Sequence, residues 1–443
     1  MKPIALLLPE GANIEELVNV FAPDLDIDYL KYLIHYVLSK QTTGNKKHPP
    51  KDYVSISSQK LLVSNPKHKK HIEFLCSKEA NLLHRRPYSE GKCFSYNITP
   101  QHKNKPLKVD FLKVGKLASK IVESETKFPT SLNSSSKYFY LKKMFNSNDL
   151  NIDLNLAVDH CNSRFKEHQD YKKYVTEMTK IVELYNGEYK VYYKKKKDGR
   201  LHTNITSLPK VYRQFITYKN EPLVEVDLSN SIIYFLAVIV KHSSIEDNIL
   251  EDDIMAHIPL LYMFVKSLRS IENIEVELLW KLATNGEFYN SFIEDFDKIF
   301  SFEDYKKIFE KDNDKPYTGD IKQKKKVAKK QVLSMIFAKP NSYKNIQTIF
   351  CSKFPKLLES INDFKINNGH KKMSHLLLQL ESLVMLGVVG KDYNRKHYKK
   401  APTLTLHDCL ITTLDYGKEL LESMQMSFKN LFGQAPVMVS KEW

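Results

Sequence analysis

Two aspartates and a run of lysines in this chain have settings suited to handling phosphate. Asp227 ends the alternating stretch Leu223-Val-Glu-Val-Asp227, and an apolar run from Ser231 to Ala237 follows it. The alternation predicts a strand and the run predicts a helix, with Ser229 or Asn230 available as its cap. A carboxylate at a strand end just before a helix can hold a divalent cation, with a nearby backbone carbonyl as a further ligand, although it can also simply cap the helix. Asp408 lies in Pro402-Thr-Leu-Thr-Leu-His-Asp-Cys-Leu-Ile-Thr-Thr413, where two alternating strands flank His407-Asp408 and place the pair at or near a hairpin tip. Alone, His-Asp is an ordinary turn dipeptide. Projected from a hairpin, however, its carboxylate can meet one from a neighbouring strand. The third segment is Lys322-Gln-Lys-Lys-Lys-Val-Ala-Lys-Lys-Gln-Val-Leu-Ser-Met-Ile-Phe-Ala338. Read as a helix, it sets Lys325, Lys329, Leu333 and Phe337 in one stripe. A nucleoside triphosphate fits along such a stripe, with phosphates on the lysines and its sugar or base near Phe337. A solvated lysine face with an apolar anchor is the bland alternative.

The rest of the chain must position these groups. Its 443 residues suggest two or three domains. Residues 1–105 read as short helices with a hairpin: a capped helix over Ser55–Leu62, a basic helix over His68–His84 carrying Lys69 and Lys70, and a strand over Cys93–Ile98. That order resembles a winged-helix nucleic-acid-binding module. Residues 106–187 read as a helical connector, interrupted by a loop at 133–137. Residues 188–443 mix short strands with long helices, beginning with a strand over Tyr189–Lys196 and a turn signal at Asp198-Gly199.

Composition narrows the chemistry. With 68 Lys and Arg against 52 Asp and Glu, the net charge is +16, which attracts phosphate backbones. Gly is only 13 residues, and none stand at the spacing of GxGxxG or GxxxxGK[ST], so phosphate is not held by a Rossmann or P-loop turn. Five scattered cysteines without a CxxC pair argue against a disulfide framework or a structural zinc site. The apolar start is too short for a secretory signal, and the stretch Ile232–Val240 is too short to span a membrane. These features lead us to expect a soluble, cytoplasmic protein associated with nucleic acid rather than a membrane.

Taken in order, the three segments resemble motifs A, B and C of the family A DNA polymerases and the related single-subunit, phage-type RNA polymerases. Motif A of the DNA enzymes, roughly Asp-Tyr-Ser-Gln-Ile-Glu-Leu-Arg-x-Leu-Ala, aligns without a gap on Asp227 to Ala237. Motif B carries a basic residue, a lysine four later, an aromatic four after that and Tyr-Gly a turn further on, the places of Lys325, Lys329, Leu333 and Phe337-Ala338. Motif C is His-Asp in both branches, here His407-Asp408. A fourth stretch, Gly199-Arg200-Leu201-His202-Thr203 with Leu208-Pro209, Arg213 and Phe215, is similar to the one that leads into motif A. The likeness covers about residues 188 to 443.

The resemblance implies an α+β right-hand polymerase, with an antiparallel palm sheet and helical fingers and thumb, beside the N-terminal module. By the same resemblance, Asp227 and Asp408 hold two Mg²⁺ ions, for which Mn²⁺ can substitute. Lys329 and Lys325 bind the incoming dNTP or rNTP, and Ile232, Leu333 and Phe337 line its place. Arg200, His407 and Gln379 contact a DNA primer-template or an RNA/DNA duplex. The implied activity is template-directed nucleotidyl transfer to a 3′-hydroxyl, in replication of a phage or other mobile element. The alternatives are a single-subunit RNA polymerase, an untemplated transferase on the same palm, or a non-enzymatic DNA-binding replication initiator. Ile232 stands where the DNA enzymes have Glu and the RNA enzymes Gly, Phe337 replaces Tyr, and Cys409 replaces Glu or Ser, so the choice of sugar stays open. No exonuclease set is evident; Asp24, Asp26 and Asp28 read as a helix cap.

Overall fold

The computed structural model describes residues 2–41, 53–59, 61, 65–87, 93–113, 115–128, 132, 136, 138–146, 148–193, 197–243, 257–268, 271–313 and 315–443. It is an α+β structure with antiparallel sheets. Along the chain the strands are β1 (Ile4–Pro9), β2 (Val54–Ser55), β3 (Leu83–Arg86), β4 (Ser95–Ile98), β5 (Leu107–Leu112), β6 (Leu150–Ile152), β7 (Tyr192–Tyr193), β8 (Leu201–His202), β9 (Ile216–Tyr218), β10 (Glu221–Leu228), β11 (Leu404–Leu406), β12 (Cys409–Thr413) and β13 (Met438–Glu442).

The alternating stretch around Asp227 becomes β10, the hub of a six-stranded sheet ordered β11-β12-β10-β9-β6, with β13 also paired to β10. Its register places Asp227 opposite both Cys409 of β12 and Val439 of β13. Leu223, Val224, Glu225 and Val226 are all buried there. The helix Gly417–Phe432 lies against this sheet, and a Cβ on Gly417 would come within 2.8 Å of Val224, so the close approach requires glycine. Behind Asp227, Ile232 to Val240 are buried in the helix Ser231–Ser243, which packs on the helices Asn273–Thr284 and Lys371–Ser382. That burial anchors the end of β10.

Sequence separation hides several pairings. β1 pairs with β5 along its whole length, and Asn186 exchanges hydrogen bonds with the backbone of Ala5. β6 joins the central sheet through β9. Secondary-structure pairings therefore cross both boundaries expected from the sequence, at 105/106 and 187/188.

Near the N-terminus the order is helix Ile27–Gln41, β2, helix His68–Leu75, β3 and β4, with the sheet ordered β2-β4-β3. The basic helix expected over His68–His84 stops at Leu75. Asn81 takes φ 43°, Leu82 N–H closes on Leu75 O, and Leu83 enters β3, where its side chain is buried. Ser55 belongs to β2, and helical residues are found at 58 and 59; residues 60 and 62 of the expected Ser55–Leu62 helix lie outside the described residues, as does most of the loop at 133–137. Asp26 accepts from Tyr29 N–H at 3.1 Å, so it caps the helix it precedes.

The helix Lys371–Ser382 runs through a π-helical turn, Leu383–Val389, into Gly390–His397. Together Lys371–His397 is long and apolar enough to cross a membrane, unlike the shorter run at Ile232–Val240 considered from the sequence. Some 67% of its apolar window is buried against the rest of the protein, which accounts for its composition without a bilayer. Tyr140 Oη donates to the Leu386 carbonyl within the π turn at 2.8 Å.

Candidate active site

The β11–β12 hairpin turns tightly at His407, whose φ of 59° lies in the left-handed region, and this turn projects Asp408 beside the end of β10. Asp227, Asp408 and Cys409 each offer a ligand atom, and these atoms lie within 4.8 Å of one another. The Cys409 thiol donates to Asp227 Oδ1 at 3.4 Å, and the Ser231 hydroxyl donates to Asp408 Oδ2 at 2.9 Å. Burial, then the neighbouring Asp408 carboxylate, raises the pKa of Asp227, as expected for two like charges at close quarters. Burial, followed by Asp227, pushes the Cys409 thiol upward too, so it stays protonated and acts as a hydrogen-bond donor. The remaining donor set is two carboxylates, which suits a hard, oxygen-seeking cation such as Mg²⁺ or Mn²⁺ better than a thiolate-seeking one.

Arg200 and His407 border this pair. Arg200 donates through Nε to Glu381 Oε1 at 2.9 Å, and its Nη2 reaches the same oxygen. The Glu381 side chain is 0% exposed, and Oε2 has no hydrogen-bond partner among the described residues. Desolvation raises the Glu381 pKa to about 7, with Arg200 pulling it back and Asp408 pushing it further up. The Ser231 hydroxyl also faces this carboxylate and favours its ionised form. His407 lies 6.0 Å, centroid to centroid, from His202, and His202 in turn meets Asp198. Burial lowers the His407 pKa, as does the Arg200 charge, so the imidazole is neutral at pH 7.

The loop bearing Arg200 is clamped to the helix Lys371–Ser382. Ser382 Oγ donates to Gly199 O, and Gln379 Nε2 donates to Lys197 O at 2.9 Å. Gly199 has φ 65°, and a Cβ there would meet Gln379 Cα at 3.3 Å. Asp198 is not at positive φ, so this turn is not of type I′, which needs two such residues. Gln379, expected against a duplex, here holds the Arg200 loop.

The lysine segment forms the helix Ile321–Phe337, N-capped by Asp320, and its lysines divide by face. Lys324 pairs with Asp297, Lys330 with Asp312, and Lys326 lies over the Phe309 ring. Lys325 Nζ donates to Gly286 O at 3.2 Å, the carbonyl that also accepts from Asn230 Nδ2 at 3.0 Å. This shared acceptor ties the lysine helix to the turn after Asp227. Asn230 itself sits at φ 58°, in the left-handed region. Lys329 is exposed, and its charge is felt by Asp227, whose carboxyl it draws downward. Leu333 and Phe337 are partly buried against the core, and Ile232 is 9% exposed.

The structure thus draws Asp227, Asp408, His407, Arg200 and Lys329 into one neighbourhood, with Lys325 adjoining it through Gly286. Lys69 and Lys70 lie apart, exposed on the helix His68–Leu75. Sequence reasoning missed Ser231 and Glu381. The signal for Glu381 was a lone carboxylate inside the apolar run Leu376–Leu386, where burial of a charge requires a partner. Comparison of the chain with protein-family models and with curated proteins returns no match.

Proposed function

We propose that this protein is a metal-dependent nucleotidyltransferase that extends a 3′-hydroxyl on a nucleic-acid template, with a right-hand polymerase architecture around β10, β11 and β12. One observation carries the reading. Asp227, near the end of β10, and Asp408, in the β11–β12 turn beside it, are 181 positions apart in the sequence yet have carboxylate oxygens no more than 4.8 Å apart. Two acidic groups held this close repel each other, and a site that assembles them gains from a cation between them.

Bound to these aspartates, Mg²⁺ or Mn²⁺ would supply activation of the attacking hydroxyl and neutralisation of phosphate charge. The protein's own groups do the positioning. Lys329, exposed on the helix facing Asp227, offers an ammonium to the triphosphate, and Lys325 steadies the Gly286 turn beneath it. Neutral His407 at the hairpin turn offers a hydrogen bond to a primer terminus. Ile232 and Phe337 give the sugar an apolar setting, without the carboxylate or phenol that marks the DNA enzymes, so dNTP and rNTP both belong in the test. The order β2, helix, β3, β4 with sheet order β2-β4-β3 supports a winged-helix reading of the N-terminal elements, and exposed Lys69, Lys70, Arg85 and Arg86 suit a duplex phosphate backbone.

The test is extension of a labelled primer-template with Mg²⁺ and either dNTPs or rNTPs. Wild type should extend, while Asp227→Asn and Asp408→Asn each lose at least about a thousandfold in rate and still bind duplex. Binding without extension by the wild type would favour the replication-initiator reading. Full activity in either variant would remove the two-aspartate assignment.

A further inference from the structure

Glu381 has no part in the reading above, yet the fold buries it completely beside the aspartates. It sits in Leu376-Leu-Leu-Gln-Leu-Glu-Ser382, where an apolar side chain would pack without a desolvation penalty. Two features tie it to the site. Both Arg200 donors end on Oε1, so Oε2 is left buried and unpartnered among the described residues, an arrangement that costs stability unless something offsets it. The Ser231 hydroxyl, which donates to Asp408 Oδ2 at 2.9 Å, also faces the Glu381 carboxylate. A hydroxyl carries one proton and can serve one of these acceptors at a time.

We propose that Glu381 is a positioning residue of the cation site: when Asp227 and Asp408 hold a divalent cation, Ser231 turns its hydroxyl from Asp408 to the unpartnered oxygen of Glu381, which Arg200 keeps in place to receive it. The proposal rests on the assignment of Asp227 and Asp408 as cation ligands. In the cation-free protein the Ser231 proton eases the repulsion between the two aspartates. A cation performs that service itself, and the proton would then compete with it for Asp408 Oδ2. Glu381 supplies the alternative acceptor, and Arg200 balances its charge so that the neighbourhood gains no net positive charge against the cation.

The link is a coupling between two side chains, so a double-mutant cycle reads it directly. Mn²⁺ binding to the full-length protein is titrated by electron paramagnetic resonance of the free ion, for wild type, Ser231→Ala, Glu381→Gln and the double variant. Glu381→Gln should weaken binding in both backgrounds, because it leaves the Arg200 charge uncompensated. Where Ser231 is present the loss should be larger by about a further fivefold, because the Gln amide oxygen still accepts from Ser231 but without the charge that roughly doubles the strength of the bond. Equal losses in the two backgrounds would overturn the proposal. If Glu381→Gln does not fold, as judged by thermal melting, Arg200→Lys takes its place, with a smaller loss that again must depend on Ser231. Asp227→Asn and Asp408→Asn separate the two levels of the argument. Mn²⁺ binding that is absent from the wild type, or that survives these substitutions, removes the cation site and the proposal with it. Binding that both abolish, but that shows no Ser231 dependence, removes the Glu381 proposal alone.

Discussion

Replacing Asp227 by Asn should make the protein more stable as it removes activity. Asp227 and Asp408 are like charges with oxygens within 4.8 Å, which at an effective dielectric near 20 repel by about 3 kcal/mol. Partial solvent exposure reduces this to about 1–2 kcal/mol. The amide of Asn keeps an Oδ1 to accept from the Cys409 thiol, and the Ser231 bond to Asp408 is untouched, so little is lost against that gain. The expected rise in melting temperature is roughly 1–4 °C, measured by circular dichroism at pH 7.5 with chelator present. The pH dependence has a definite sign. Asp227 has a folded pKa raised above its ordinary value, so its ionised form penalises the fold above that pKa, and the penalty fades as pH falls through it. The Asn variant's advantage should therefore shrink as pH is lowered from neutrality toward about 4. An Asn variant that melts at or below wild type at pH 7.5 would refute the claim that the two carboxylates are held in mutual repulsion.

Lys329→Ala should raise the nucleotide KM about tenfold with duplex affinity nearly unchanged, whereas Lys330→Ala, whose ammonium already meets Asp312 and the Ile308 carbonyl, should leave KM close to wild type; steady-state extension kinetics separate the two. Replacing Lys69 and Lys70 together by Ala should weaken duplex binding and, if each meets a phosphate, lower the log-log salt slope by about 2, read by fluorescence anisotropy across salt concentrations. Glu188 is buried, and desolvation, with Glu183 nearby, lifts its pKa to about 7. Its folded pKa therefore stands above the ordinary 4.5, and wild-type stability should fall as pH rises from about 4.5 to about 7 and level off beyond it. Glu188→Gln, which keeps an acceptor for Asn186, should be the more stable form at pH 8, and the two should converge below about pH 4.5 in paired melting curves.

Much of the candidate site was legible because its cues are local. Alternation at Leu223–Asp227 and around His407-Asp408 fixes strands by a period that only a sheet satisfies, and the lysine segment falls within one residue of its expected start. What stayed hidden depends on contacts distant in sequence. Nothing in Ile4–Pro9 indicates that its partner is Leu107–Leu112, so the boundary at 105 fell inside a shared sheet. The helix at His68 ends early because Leu82 and Leu83 gain more from burial in a sheet than from continuing a helix, a tertiary effect that periodicity does not carry. Glu381 and Ser231 were missed for a related reason. Glu381 stands out in the sequence only as a carboxylate within an apolar run, and Ser231 not at all; the partners of each come from the Arg200 loop and the hairpin tip that the fold brings to it.

The most direct measurement of the central claim is anomalous diffraction from crystals grown with Mn²⁺, primer-template and a non-hydrolysable nucleoside triphosphate. The account requires Mn²⁺ peaks bound by both Asp227 and Asp408, with the triphosphate reaching toward Lys329. A triphosphate seated elsewhere, or Mn²⁺ that ignores these two carboxylates, would contradict it.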